Sequence, residues 1–204
     1  MKAWFRRNRW ALVALVVLIP AALAAALSIN SFRYYGEKWH QATVVSEGES
    51  GQFVPERPRP ADENGDAIPG ATAEPAPPAS MTLEDYLVVS WDSEIGRDVG
   101  LHEGSEAVSA LIRVDASDMP EDVYSCDAIL TAPGATGERE WRIASSPDVD
   151  YYPSGDLSPS CDLNSGEEFL WEAVFVVPEG VGETAELYIM RGSASPERVL
   201  RLEH

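Results

Sequence analysis

Trp10 to Ile29 form an uninterrupted apolar run (WALVALVVLIPAALAAALSI) with Lys2, Arg6, Arg7 and Arg9 in front of it. At 1.5 Å per helical residue the run reaches roughly 30 Å, the thickness of a bilayer's hydrocarbon core. It contains no charged side chain, so it reads as one N-terminal transmembrane helix or as a signal sequence. Short basic segments stay in the cytoplasm. This makes residues 1–9 a cytoplasmic basic tail, 10–29 the span, and everything after it extracytoplasmic. Trp4, Phe5 and Trp10 on one side, with Phe32, Tyr34, Tyr35 and Trp39 on the other, suit two headgroup layers and favour a retained anchor in the cell membrane. The competing reading is a cleaved signal peptide: Pro20 ends a short apolar core, Ala22, Ala24 and Ala26 supply small residues, and the mature protein is secreted after cleavage near Ala26. No cysteine follows the run closely, which removes a lipid-anchored lipoprotein. Arg6-Arg7 resembles a twin-arginine signal, but Asn8-Arg9-Trp10 does not continue it.

The run also divides the charge. No acid precedes Glu37, so all 34 Asp and Glu of the 204 residues follow it with 11 of the 15 bases, a balance of −23 outside against four bases inside. Such a field repels nucleic acid and anionic lipid headgroups, so nucleic acid is not an expected partner.

Beyond the run, residues 30–54 read as a juxtamembrane segment with a hairpin, Gln41 to Val45 and Gln52 to Val54 flanking a Glu-Gly-Glu-Ser-Gly turn. Residues 55–80 hold seven prolines and no period, and read as a Pro-rich disordered linker. Inside it, Asp62, Asn64 and Asp66 have the spacing that opens an EF-hand loop. Ala67 stands at its glycine and Ala73 at its bidentate glutamate, so the motif fails.

From residue 81 to 204 the pattern has period two, punctuated by Gly, Pro, Asp and Ser, which predicts an all-β domain of the β-sandwich class. Leu83, Leu87, Val89 and Trp91 share one expected face. Val108, Ala110, Ile112 and Val114 share another; Tyr124, Cys126, Ala128 and Leu130 a third; Trp141 and Ile143 a fourth. Glu168 to Val177 is apolar on both faces apart from Glu172, which predicts a strand central in its sheet. Thr184 to Arg191 and Glu197 to Leu202 complete the count. Trp91, Trp141 and Trp171 fall on apolar strand faces, where core packing accounts for them better than a sugar platform.

Cys126 and Cys161 are the only cysteines, and the topology puts both outside the cytoplasm, where a disulfide between them persists; two free buried thiols are the alternative. His40, His102 and His204 do not converge by spacing, and no nucleophile elbow, phosphate loop, dinucleotide fingerprint or H-E-x-x-H occurs. Pairs such as Asp148 with Asp150 and Glu167 with Glu168 arise without purpose in so acidic a chain. No catalytic, cofactor-binding or metal residues are therefore assigned, and the expectation is a protein that is not an enzyme.

Asn164 to Ile189 (NSGEEFLWEAVFVVPEGVGETAELYI) resembles the C-terminal half of telokin-like, immunoglobulin-like domains of bacterial lipoproteins and membrane-anchored proteins. A polar-Gly turn leads to a strand ending in F-x-V-P, then to one of A-x-L-x-I type. The basic start, single span and Pro-rich linker resemble single-span envelope proteins of high-GC Gram-positive bacteria, and the preference for Arg over Lys agrees. The resemblance implies an immunoglobulin-like ectodomain outside the cell and no catalytic residues. The expected role is a binding module at the envelope whose partners are the lipid bilayer, through Trp10 to Ile29, and an envelope protein or cell-wall ligand. The alternatives are an accessory subunit of a membrane complex acting through its helix and an acidic module responsive to divalent cations.

Overall fold

The computed structural model describes residues 42–204 except 56, 58, 59, 63, 65, 67, 69–75, 121, 122, 124, 136, 145–148, 154 and 192–196. The basic tail, the expected span and the aromatic residues around it lie outside the described residues. Among those described, no helix is long and apolar enough to cross a membrane.

The described elements are β1 (Thr43–Val45), β2 (Ser50–Phe53), β3 (Ala79–Ser90), a short helix α1 (Glu94–Asp98), β4 (Ser105–Asp115), β5 (Cys126–Gly134), β6 (Gly137–Arg142), β7 (Leu157–Ser158), β8 (Glu168–Pro178), β9 (Glu186–Arg191) and β10 (Arg198–Leu202). Sheet I runs β1-β10-β9-β5-β6 and sheet II runs β2-β3-β4-β8-β7. Their inner faces share one core, so the all-β sandwich expected from the period-two pattern is present. Val108, Ala110, Ile112 and Val114 of β4 all point into it, opposite Cys126, Ala128 and Leu130 of β5. Trp171, Ala173 and Phe175 of β8 are fully buried there, and Trp141 and Ile143 pack against its margin.

The hairpin expected at residues 41–54 does not form. β1 pairs in parallel with β10, Thr43 opposite Leu200, while β2 pairs antiparallel with β3, Gly51 opposite Met81. The intervening turn, with Gly48 at φ 74°, carries the chain from one sheet to the other. Each strand therefore finds a longer partner than the other could offer, and Val45 and Phe53 both enter the core. The crossing is tight: a Cβ on Gly51 would stand 2.5 Å from Val45 Cγ2. The folded unit consequently begins at Ala42, not at residue 81. The linker is also shorter than expected at its C-terminal end, because β3 starts at Ala79, fully buried, and Ala76 already packs against the core.

β3 carries the second departure. Leu83 pairs with Ile112 but Asp85 pairs with Leu111, so one extra residue is inserted and the face reverses. Met81 and Leu83 point inward before the bulge, whereas Tyr86 and Val88 do so after it. Leu87, expected beside Leu83, is instead 49 % exposed on the outer face.

The third concerns β8. The middle of sheet II is β4, and beyond β8 lies only the two-residue β7, parallel to it at Leu170 and Trp171. β8 is apolar on both faces because its outer side is covered locally. Val176 packs in a small cluster with Leu101, Ala107, Val149, Trp91 and Val99.

Cys126 and Cys161 are bridged, with Cα atoms 5.4 Å apart. The bond ties the start of β5 in sheet I to the connection between β7 and β8 in sheet II.

Two outcomes follow for stability. Leu83→Ala should cost about 2–5 kcal/mol, as truncation of a buried leucine does, and Leu87→Ala about 1 kcal/mol or less. Equal losses in denaturant unfolding would contradict the bulged register. Replacing both cysteines by serine removes a 35-residue cross-link and should cost about 4 kcal/mol on the chain-entropy account, lowering the thermal midpoint by roughly 10 °C. Two alkylatable thiols in the native oxidised protein would remove the premise.

Candidate functional site

The two outer faces of the sandwich are finished differently. On sheet I, Ile129, Tyr188 and Met190 form a buried outer cluster. Arg198, only 2 % exposed, lies with its guanidinium 4.5 Å from the Tyr188 ring centroid and reaches Glu138 at 2.8 Å and Glu140 at 2.9 Å. Burial works against the arginine's charge, but these two carboxylates outweigh it and raise its pKa. Arg201 completes the cover by pairing with Glu186 and Glu203, each at 3.0 Å. Apolar surface on this face is thus roofed by the chain's own cations.

On sheet II the corresponding surface stays open among the described residues. A cleft of about 150 Å³ is lined by Leu87 and Val89 of β3, Ala107 and Ser109 of β4, Glu172 and Val174 of β8, and by Ile95, Val99, Val149 and Tyr151. Three of the exposed large apolar side chains, Leu87, Ile95 and Tyr151, meet at this one place. Local sequence explains the walls. Ser93 caps α1 by accepting from Gly96 N at 2.9 Å and donating to Ser90 O at 2.6 Å, which folds the helix back over β3. Gly96 is required there, since a Cβ would collide with the Ser90 carbonyl. Asp150 N donates to Val99 O at 2.9 Å and so holds the Val149–Tyr151 stretch beside the helix.

Glu172 is the one acid in this lining. Ser109 Oγ donates to its Oε1 at 2.6 Å and Tyr151 Oη donates to its Oε2 at 2.7 Å. Its partners among the described residues are these two neutral hydroxyls, so the carboxylate is oriented without its charge being offset. The Tyr151 phenol is pushed up to about 12, first by burial and then by its bond to Glu172 and that residue's charge. A fixed carboxylate in apolar surroundings is suited to receiving a cation.

Other polar groups of the domain are occupied in holding the fold. The Glu106 carboxylate, buried, accepts from Gly180 N at 3.0 Å and from Gly182 N, anchoring the turn after β8. Tyr86 donates to Gly182 O at 2.7 Å and stacks on His204, ring centroids 3.7 Å apart. Burial, then the Glu106 charge, raises the Tyr86 pKa. His102 is exposed, and His40 and Asp148 lie outside the described residues. Glu168 pairs with Arg113 at 2.7 Å. Asp62 Oδ1 accepts from Asn64 N at 2.9 Å and Asp66 N at 3.0 Å, so the spacing seen in sequence serves a turn. No three His, Cys, Asp or Glu converge as a metal site among the described residues.

Glu172 stands out in the sequence as the exception on an apolar strand, but its proximity to Leu87 does not, because the bulge in β3 carries Leu87 to the outer face. Comparison with protein families, with curated proteins and with solved structures yields no match for this chain.

The phenol of Tyr151 provides a direct check. An alkaline absorbance titration, differenced against Tyr151→Phe, should show a midpoint near 12, and Glu172→Gln should move it part of the way down. Because the folded value lies above the unfolded one, the contribution to stability is complete below about pH 10 and is lost as pH rises through 12.

Proposed function

We propose that this chain is a single-pass, membrane-anchored protein that presents an immunoglobulin-like β-sandwich outside the cytoplasm and acts as a binding module at the cell envelope. It docks a protein partner on the outer face of sheet II. The observation that carries the reading is the contrast between the faces: ion pairs roof sheet I, while sheet II keeps an open apolar cleft around a single carboxylate.

The immunoglobulin-like assignment rests on strand order. β3-β4-β8 facing β10-β9-β5 follows the A-B-E and G-F-C order of that architecture, with β1 and β2 as additions at the start and β6 beyond β5, while β7 departs from an antiparallel D strand by pairing in parallel with β8. The disulfide departs from its usual inter-sheet position, joining the start of β5 to the β7–β8 connection. The anchor rests on the apolar run at residues 10–29 with its basic flank, and the compartment on the bridge, since such bonds persist outside the cytoplasm.

Protease added to intact cells that express the chain with a C-terminal tag should digest the tag, and the protein should leave the membrane fraction with detergent but not with salt. A tag protected until lysis overturns the topology. A mature N-terminus near Leu27 replaces the anchor with secretion. Photo-cross-linking residues at Leu87 or Ile95 should give partner adducts that the same residue at Val44, exposed on β1, does not. Adducts at Val44 alone would move the docking surface to sheet I.

A further inference from the structure

We propose that the sheet II cleft receives one Lys or Arg side chain of a protein partner, its methylene stem lying along Leu87, Val89 and Val174 and its cationic head on Glu172. The proposal rests on reading this face as the docking surface. Size selects the occupant first. At about 150 Å³ the cleft falls well below the roughly 300–1,000 Å³ of pockets that enclose whole small molecules. It is scaled to a side chain.

Chemistry selects it next. The lining is apolar except at Ser109, Tyr151 and Glu172, and these three are already linked, hydroxyl to carboxylate on either side. Each carboxylate oxygen keeps acceptor capacity after one such bond. An aliphatic occupant would leave the charge facing apolar surface, and an anion would be repelled. A long apolar stem ending in a cation satisfies both the walls and the carboxylate. The rim agrees: Asp92, Glu94, Asp98 and Asp150 are exposed beside the lining residues, while the nearby base Arg97 donates to the Asp92 carbonyl. The flanks of the partner segment should therefore be basic or neutral.

The molecule also contains a worked instance of this arrangement. On sheet I the guanidinium of Arg198 lies over the Tyr188 ring while pairing with Glu138 and Glu140. Sheet II offers an apolar floor and an oriented carboxylate, with no arginine on that carboxylate among the described residues.

The test uses the full chain in nanodiscs with labelled Leu and Val methyl groups. It is titrated with a short acetylated Gly-Leu-Lys-Leu-Gly amide and with the same peptide carrying norleucine for lysine. The lysine peptide should produce saturable shifts at the Leu87, Val89 and Val174 methyls and weaken as salt is raised. Norleucine, or Glu172→Gln with the lysine peptide, should reduce affinity by roughly tenfold or more. Leu87→Ala, which keeps the charge but removes part of the wall, should give a smaller loss, and unchanged methyl spectra away from the cleft establish that each variant is folded. Equal affinity for the two peptides would overturn the cationic occupant while leaving sheet II as an apolar docking face. Shifts at other methyls only, or none up to about 10 mM peptide, would overturn it too. In that case the cross-linking pattern from Leu87 and Ile95 still decides whether the face docks anything.

Discussion

Between Leu83 and Asp85, β3 has one residue more than β4 can pair, and the side-chain alternation of the strand reverses there. Without that insertion Leu87 and Val89 would continue the inward row begun by Met81 and Leu83. Tyr86 and Val88 take those inward places instead, and two apolar side chains are left on the outside of sheet II. The bulge thus feeds both surfaces of the strand. It lets the Tyr86 ring lie on His204 while its hydroxyl reaches Gly182, and it builds one wall of the cleft opposite Glu172 and Val174.

Apolar surface outside a sandwich core has to be covered, and the two sheets solve this with different chemistry. Sheet I uses charge, the guanidinium of Arg198 being nearly solvent-free yet matched by two carboxylates, so its desolvation is offset by short ion pairs and contact with Tyr188. Sheet II uses chain. Helix α1 and residues 149–151 roof one end, where Leu101, Ala107 and Val149 are buried, and stop short of Leu87. Where the roof stops, Glu172 remains with neutral donors. The division explains how so acidic a domain can keep an uncompensated carboxylate partly buried: Ser109 and Tyr151 stabilise it by hydrogen bonds rather than by opposite charge.

Local pattern was sufficient wherever a strand runs unbroken. The rows Val108 to Val114 and Trp171 to Val177 were readable because period two persists along them and one face is buried. It was insufficient where pairing, not propensity, decides. The Gln41 to Val54 stretch has two short β-prone segments around a turn, and nothing within it says that β10 and β3 are better partners than each other. A bulge is a mismatch between two strands, so β3 alone could not reveal it. The place of β8 in sheet II, interior but next to only a two-residue strand on one side, is illegible for a related reason. β8 is doubly apolar not through two long neighbours but through the cover supplied by α1 and residues 149–151, which are remote in sequence. Cys126 and Cys161, by contrast, were legible because a chain with two cysteines allows a single pairing.

The same bridge bears on how rigid the cleft can be. Cys126 opens β5, and Cys161 lies just before the turn at Leu163–Ser165 that leads into β8. Fixing Cys161 against sheet I therefore fixes where β8 begins, and the eleven residue pairs between β4 and β8 carry that position along the strand to Glu172 and Val174. Ser109, opposite Val174 in this ladder, is placed by it as well. Two of the three polar groups of the cleft are consequently held by a continuous sheet tied to the core by a covalent bond, and only Tyr151 approaches from a connecting segment. A carboxylate held in this way loses little freedom when it meets a cation, because its rotamer has been fixed by folding. The cost of ordering then falls on the partner's side chain alone.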